Sequence, residues 1–300
     1  MLSISAFTTN TNTIVEKRQV NQNNPKNLVS IIDFKKTQEK YKDFVPKFYT
    51  IDFDSIAGRQ YVNNYANTEI LIDGNLESIK QVKNDCWLLS GINALANTPK
   101  GREYIKKALV KTNDGTVVCF KGTNTNIVIP QIVLSAAKQS KKYVEGSDDM
   151  LAIELAAEYY KKKLIVNKDY MKIEDPNIVN GKFALGNVKD PLAGGFSSDI
   201  MYLITEQKAK TFFNAKTGCS KKIKDLVKTL KDNPEKYAIT CNFKERLNGL
   251  YIHHAYTIKK IDDEFVTLIN PHNSANEEKI PINDFYGNVR SITFLDLESF

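Results

Sequence analysis

Long apolar runs are missing from this 300-residue chain. No stretch of about eighteen consecutive apolar residues occurs, which excludes a membrane-spanning helix. The opening residues, Met1 to Gln19, have neither a basic start nor an apolar segment, so no secretory leader is expected. Cysteine is scarce. Cys86, Cys119, Cys219 and Cys241 are too few for a disulfide scaffold, and none lies in a C-x-x-C pair. Free thiols in a reducing compartment are therefore expected, with a cytoplasmic location; delivery as a leaderless effector stays open. EF-hand loops, internal repeats and low-complexity blocks are also lacking. The formal net charge of +7 comes from scattered lysine pairs and triplets such as Lys161-Lys162-Lys163. They are not clustered or interleaved with aromatics, so they read as solvated helix faces, with no nucleic-acid partner.

What is present is ordinary globular composition: 42% hydrophobic and 26% charged residues. Residues 1–45, rich in Asn, Thr, Gln and Lys, read as a polar flexible leader. Residues 46–192 read as a mainly helical segment. Apolar positions Leu88, Leu89, Ile92, Leu95 and Ala96 follow helical spacing after Asn84-Asp85. Thr98-Pro99 starts a second helix, and Ser147-Asp148-Asp149 caps a third over Met150 to Lys162. Short strands are expected at Thr116–Phe120 and Asn126–Ile129, the first preceded by an Asn113-Asp114-Gly115 turn. Residues 193–300 read as β-rich after helices near Ser198–Thr205 and Lys222–Leu230. The strands are expected at Tyr237–Phe243, Tyr251–Lys260, Phe265–Ile269 and Ser291–Leu295. The fold class is α+β, a helical part followed by a β-rich part.

All three histidines, His253, His254 and His272, fall in one expected strand-turn-strand stretch, far downstream of Cys86. A cysteine nucleophile needs a base nearby in space, not in sequence. The start of a helix favours a thiolate at Cys86 through its N–H groups and dipole, and Asp85 is placed to cap it. Asn270 completes the set: its side-chain oxygen can accept from the imidazole N–H and fix the tautomer of His254. His253 falls on the opposite strand face and reads as structural or surface, and the other three cysteines read as structural. A zinc site using the three histidines is a weaker alternative, because no metal-ligand spacing accompanies them.

Asp85-Cys86-Trp87-Leu88-Leu89 resembles the nucleophile motif of the calpain-type cysteine proteases. His254-Ala255-Tyr256-Thr257-Ile258 is similar to their histidine motif, and Asn270-Pro271 to their asparagine motif. Gly194-Gly195-Phe196, the helix Ala152 to Tyr160 and Asp284-Phe285 extend the resemblance over roughly residues 50 to 300. It implies a papain-like two-lobed cysteine protease core, with Cys86 from the helical lobe and His254 and Asn270 from the β-rich lobe. It implies an endopeptidase that acts on protein or peptide substrates through a thioester acyl-enzyme. No cofactor or obligatory metal is expected; calcium is the one ion the family raises. Two alternatives stand beside it. One is an inactive papain-like module that binds peptide. The other is a different acyl-transfer enzyme, such as a transglutaminase or a ubiquitin-like-protein hydrolase.

The chain departs from the family pattern in three places. Gln81, the candidate oxyanion donor, stands five residues before Cys86 instead of six. His253 replaces the glycine before the histidine. His272 replaces the tryptophan after Asn-Pro, which predicts a His–Asn pair less shielded from water.

Overall fold

The computed structural model describes residues 49–50, 79–112, 115–167, 190–214, 221–246 and 249–298. The leader expected at 1–45, the turn residues 113–114 and Cys219 lie outside them. Among the described residues the chain forms seven α-helices and two antiparallel sheets, a mixed α+β fold. None of these helices is long and apolar enough to cross a membrane.

Helix α1 (Cys86–Ala96) is the buried axis of the molecule. Every residue from Trp87 to Ala96 is buried, as befits a helix apolar on nearly all sides. Helix α2 (Pro99–Ala108) follows at once. Thr98 caps it by accepting from the Gly101 N–H at 3.0 Å, and proline takes the first position, where no N–H is needed. Strands β1 (Tyr49–Thr50), β2 (Leu109–Thr112), β3 (Gly115–Phe120) and β4 (Thr125–Pro130) form a sheet in the order β1-β4-β3-β2. The segment expected to be helical thus carries a four-stranded sheet. The helix that starts at Pro99 stops at Ala108, and Leu109, still at helical spacing from Ile105, begins β2. Helices α3 (Gln131–Ser140) and α4 (Asp148–Asn167) pack against this sheet. Ser147 Oγ accepts from Met150 N–H at the start of α4.

After helix α5 (Ser197–Thr205) come β5 (Lys210–Phe213), helix α6 (Lys221–Asp232), β6 (Tyr237–Phe243), β7 (Tyr256–Ile261), β8 (Phe265–Ile269), β9 (Glu277–Pro281), helix α7 (Ile282–Asn288) and β10 (Val289–Asp296). The six strands pair in the order β5-β10-β6-β7-β8-β9. The strand expected to begin at Tyr251 begins at Tyr256. Residues 251–255 form an irregular turn in which His253 takes a left-handed φ of 55°.

Two apolar cores meet at this sheet. One gathers α1, α4 and α5 with the small sheet, and includes Trp87, Leu89, Leu155 and Ile200. Although α5 follows the boundary drawn at residue 193, it belongs to this first core. The other core joins Ile239, Cys241, Tyr256 and Leu268 to Val227 of α6 and Phe285 of α7. Strand alternation separates them. Tyr256 and Ile258 face the second core, whereas Thr257, paired with Thr240, faces α1. Three hydrogen bonds fasten α1 to β7 and the residue before it. Ser90 Oγ donates to Ala255 O at 2.7 Å, Thr257 Oγ1 to Ser90 O at 2.8 Å and Asn97 Nδ2 to Lys259 O at 3.0 Å.

Candidate active site

The α1–β7 contact brings the start of α1 to the turn before β7. Cys86, half-buried at the first position of α1, and His254, 5% exposed just ahead of β7, line one cleft of about 390 Å³. Its walls include Trp87, Gly195, Phe196, Phe213, Asn242 and His272. The backbone N–H of Ala255, adjacent to His254, reaches the Cys86 sulfur, and the N–H groups of Cys86 and Trp87 also favour a thiolate. Burial outweighs all three and pushes the thiol up, and the charge of Asp85 adds to that rise.

His254 Nε2 and Asn270 Oδ1 are 2.9 Å apart. The orientation of the amide is fixed from two sides. Its Oδ1 accepts the His272 N–H at 3.1 Å, and its Nδ2 donates to Glu278 Oε1 at 2.9 Å. Oδ1 is therefore the acceptor facing the ring, Nε2 carries the proton, and Nδ1 is left as the basic nitrogen. Burial pushes the imidazole down to about 4, and His272 pushes the same way against the Asn270 bond. Burial thus drives both the Cys86 thiol and the His254 imidazole toward their neutral forms.

The predicted loss of shielding at the missing tryptophan does not occur. Asn270 is only 9% exposed. The His272 ring lies over His254 with centroids 4.3 Å apart and planes 34° apart, and Tyr256 and Tyr251 close two further sides at 4.8 and 6.0 Å. Itself exposed, His272 takes the solvent face and leaves His254 dry. His253 is exposed on the turn and lines the cleft without a resolved bond to His254 or Cys86.

Gln81 reaches the same cleft, held by its backbone N–H to Pro271 O at 2.9 Å. Its Nε2 donates to Lys83 O at 2.6 Å, which leaves one amide hydrogen for another acceptor. Asp85 does not cap α1 with its side chain. The carboxyl is fully buried against that of Glu154, whose Oε2 accepts the Val144 N–H at 2.7 Å. Burial raises both acids, Asp85 to about 6 and Glu154 well above its ordinary value. Two ionised carboxylates have no proton to share, so the contact is a hydrogen bond only when one acid of the pair is protonated.

Lys161, read from sequence as part of a solvated run, is 1% exposed; Lys162 and Lys163 are the solvated ones. Its Nζ donates to Gly194 O at 2.9 Å and sits 4.6 Å from the Trp87 ring centroid, and burial lowers it to about 8. Trp87 Nε1 in turn donates to Leu192 O at 2.9 Å. A Cβ on Gly195 would overlap the indole, so the backbone packs directly on that ring. Trp87 and Lys161 together hold the Leu192–Gly195 wall of the cleft. Neither Glu278 nor Lys161 lies within a motif, so no local signal points to their contacts at the cleft; the alternation that puts Glu278 on the Asn270 face becomes visible only once the β8–β9 register is known. Cys119 and Cys241 lie away from the cleft, and burial raises both thiols, Cys119 to about 12. Among the described residues no group of three or more His, Cys, Asp and Glu could hold a metal ion.

Compared with protein-family models and with the curated proteins, the chain finds no match.

Proposed function

We propose that this protein is a calpain-like cysteine endopeptidase with a papain-like two-lobed core and the triad Cys86, His254 and Asn270. The observation that carries the reading is the buried His254 Nε2–Asn270 Oδ1 bond of 2.9 Å. It frees Nδ1 in a cleft that also holds a cysteine at a helix start. His254 Nδ1 takes the Cys86 proton as the sulfur attacks the scissile carbonyl. The backbone N–H of Cys86 and the second amide hydrogen of Gln81, both at the cleft, serve as donors to the developing oxyanion. Collapse of the tetrahedral adduct passes the proton from Nδ1 to the leaving amine. Water, deprotonated by the same nitrogen, then hydrolyses the thioester. The cleft, with Phe196 and Phe213 at its rims, suits a few residues of extended peptide. No metal enters these steps; a titration of activity with calcium and with a chelator tests that part of the reading. The free cysteines suit a reducing, cytoplasmic setting.

An iodoacetamide or epoxide probe should label Cys86 far faster than Cys119, Cys219 or Cys241. Casein cleavage should vanish in Cys86→Ala and fall by about 10²–10⁴-fold in kcat in His254→Ala. Uniform slow labelling of all four thiols would sink the proposal. A peptide-binding module is the second reading, favoured by the upward push on the thiol and by the Gln81 amide bound to Lys83 O. Selective labelling with neither casein cleavage nor amine transfer would select it; amine incorporation into casein would select a transglutaminase.

A further inference from the structure

The His254–Asn270 pair carries one side-chain contact that the thiol chemistry alone does not use. Glu278 pairs with Leu268 across β8 and β9, which sets it diagonally from Asn270 on one sheet face. Half-buried there, its Oε1 accepts from Asn270 Nδ2 at 2.9 Å. A carboxamide is nearly symmetric in shape, so packing alone does not choose which end faces the ring. Rotated by half a turn, Asn270 would offer an N–H to His254 Nε2. Nε2 would then have to accept, the ring proton would move to Nδ1, and Nδ1 could not take a proton from Cys86. Two contacts oppose that rotation: the His272 N–H on Oδ1 and the Glu278 carboxylate on Nδ2. A charged acceptor makes the stronger bond of the two.

We propose that Glu278 is a positioning residue for proton transfer: by holding Asn270 Nδ2 it keeps Oδ1 on His254 Nε2 and leaves Nδ1 basic. The proposal rests on the cysteine-protease reading for its catalytic meaning, but its structural content stands apart from turnover. It is tested first in full-length protein carrying Cys86→Ala, by ¹⁵N imidazole shifts at neutral pH, with the His254 signals assigned by their loss in His254→Ala. The Nε2–H tautomer is expected in this parent and in Glu278→Gln, whose side-chain oxygen still accepts. A mixture of tautomers is expected in Glu278→Ala, and equally in Glu278→Met, which keeps the bulk without an acceptor and serves if the alanine variant does not fold. An unchanged Nε2–H signal in either of these two variants overturns the proposal. With Cys86 restored, kcat on casein should fall by about 10–100-fold in Glu278→Ala with KM nearly constant, and Glu278→Gln should restore most of it. Equal losses in the two variants would also overturn it. Failure of the wild type to cleave casein removes the protease reading and leaves the tautomer measurement to decide on Glu278.

Discussion

Asp85 precedes the thiol, yet its carboxyl turns inward onto Glu154, so a residue expected to cap α1 is instead half of a buried acid pair. Lys83 stabilises charge on the pair, while Asp190 opposes it at Asp85. The sign of the pH effect follows from the raised folded-state value. The stabilising contribution of Asp85 is complete below about 4 and is lost as pH rises through about 6, because the unfolded chain gives up the proton more readily. His254 runs the other way: its lowered value costs stability as pH falls from about 6.5 through about 4. The difference between wild type and Asp85→Asn reads the titration of the acid pair, because charge on Asp85 also raises Glu154. From pH 4.5 to 7.5, urea unfolding should show wild type losing on the order of 2 kcal/mol relative to Asp85→Asn. Parallel pH profiles would remove the shared proton. Charge on Asp85 also pushes the Cys86 thiol up, so the same variant should alkylate faster at pH 7.5.

Helix α1 lies against α5 closely enough that Gly91 has no room for a side chain: a Cβ there would overlap Ile200 Cγ2 and press on Ser197 O. Gly91→Ala should lower the stability read from a urea or thermal melt by about 1–3 kcal/mol, as overpacking does; an unshifted midpoint would contradict the close approach. Elements with a strong local signal were legible in the sequence. Thr98-Pro99 at α2, the apolar spacing of α1 and the alternation of β6 each mark their element, because cap chemistry and period are local properties. Strand β5 and helix α3 were not marked. β5 is an edge strand of four residues whose side chains are half-exposed or exposed, so no alternation betrays it. The start of β7 was placed five residues early because Tyr251 and Ile252 look strand-like, and both are exposed in a turn.

Across the whole molecule, the candidate site exists because α1 lies on the face of the large sheet opposite the second core. Two buried bonds cross this junction, Ser90 Oγ to Ala255 O and Thr257 Oγ1 to Ser90 O. Ser90→Ala and Thr257→Val should each cost about 1 kcal/mol in urea unfolding, because each removes one donor and leaves a buried backbone carbonyl without it. Both singles should also slow Cys86 labelling, since Ala255 carries the N–H on the sulfur and His254 precedes it. Normal labelling rates in both would detach the junction from the site.

Taken alone, the sequence supplies the residue types of the candidate site and their order: a cysteine at a helix start, a histidine and asparagine downstream, and their motif context. It could do so because helix caps, apolar spacing and short motifs act over a few neighbouring residues. Which residues support those groups was decided only in three dimensions. His272 shields His254, Glu278 holds Asn270, Lys161 braces the wall beside Trp87, and Asp85 pairs with Glu154. Each of these contacts joins distinct elements or opposite sides of a turn. Their energies depend on burial and strand register, which no local stretch of sequence carries.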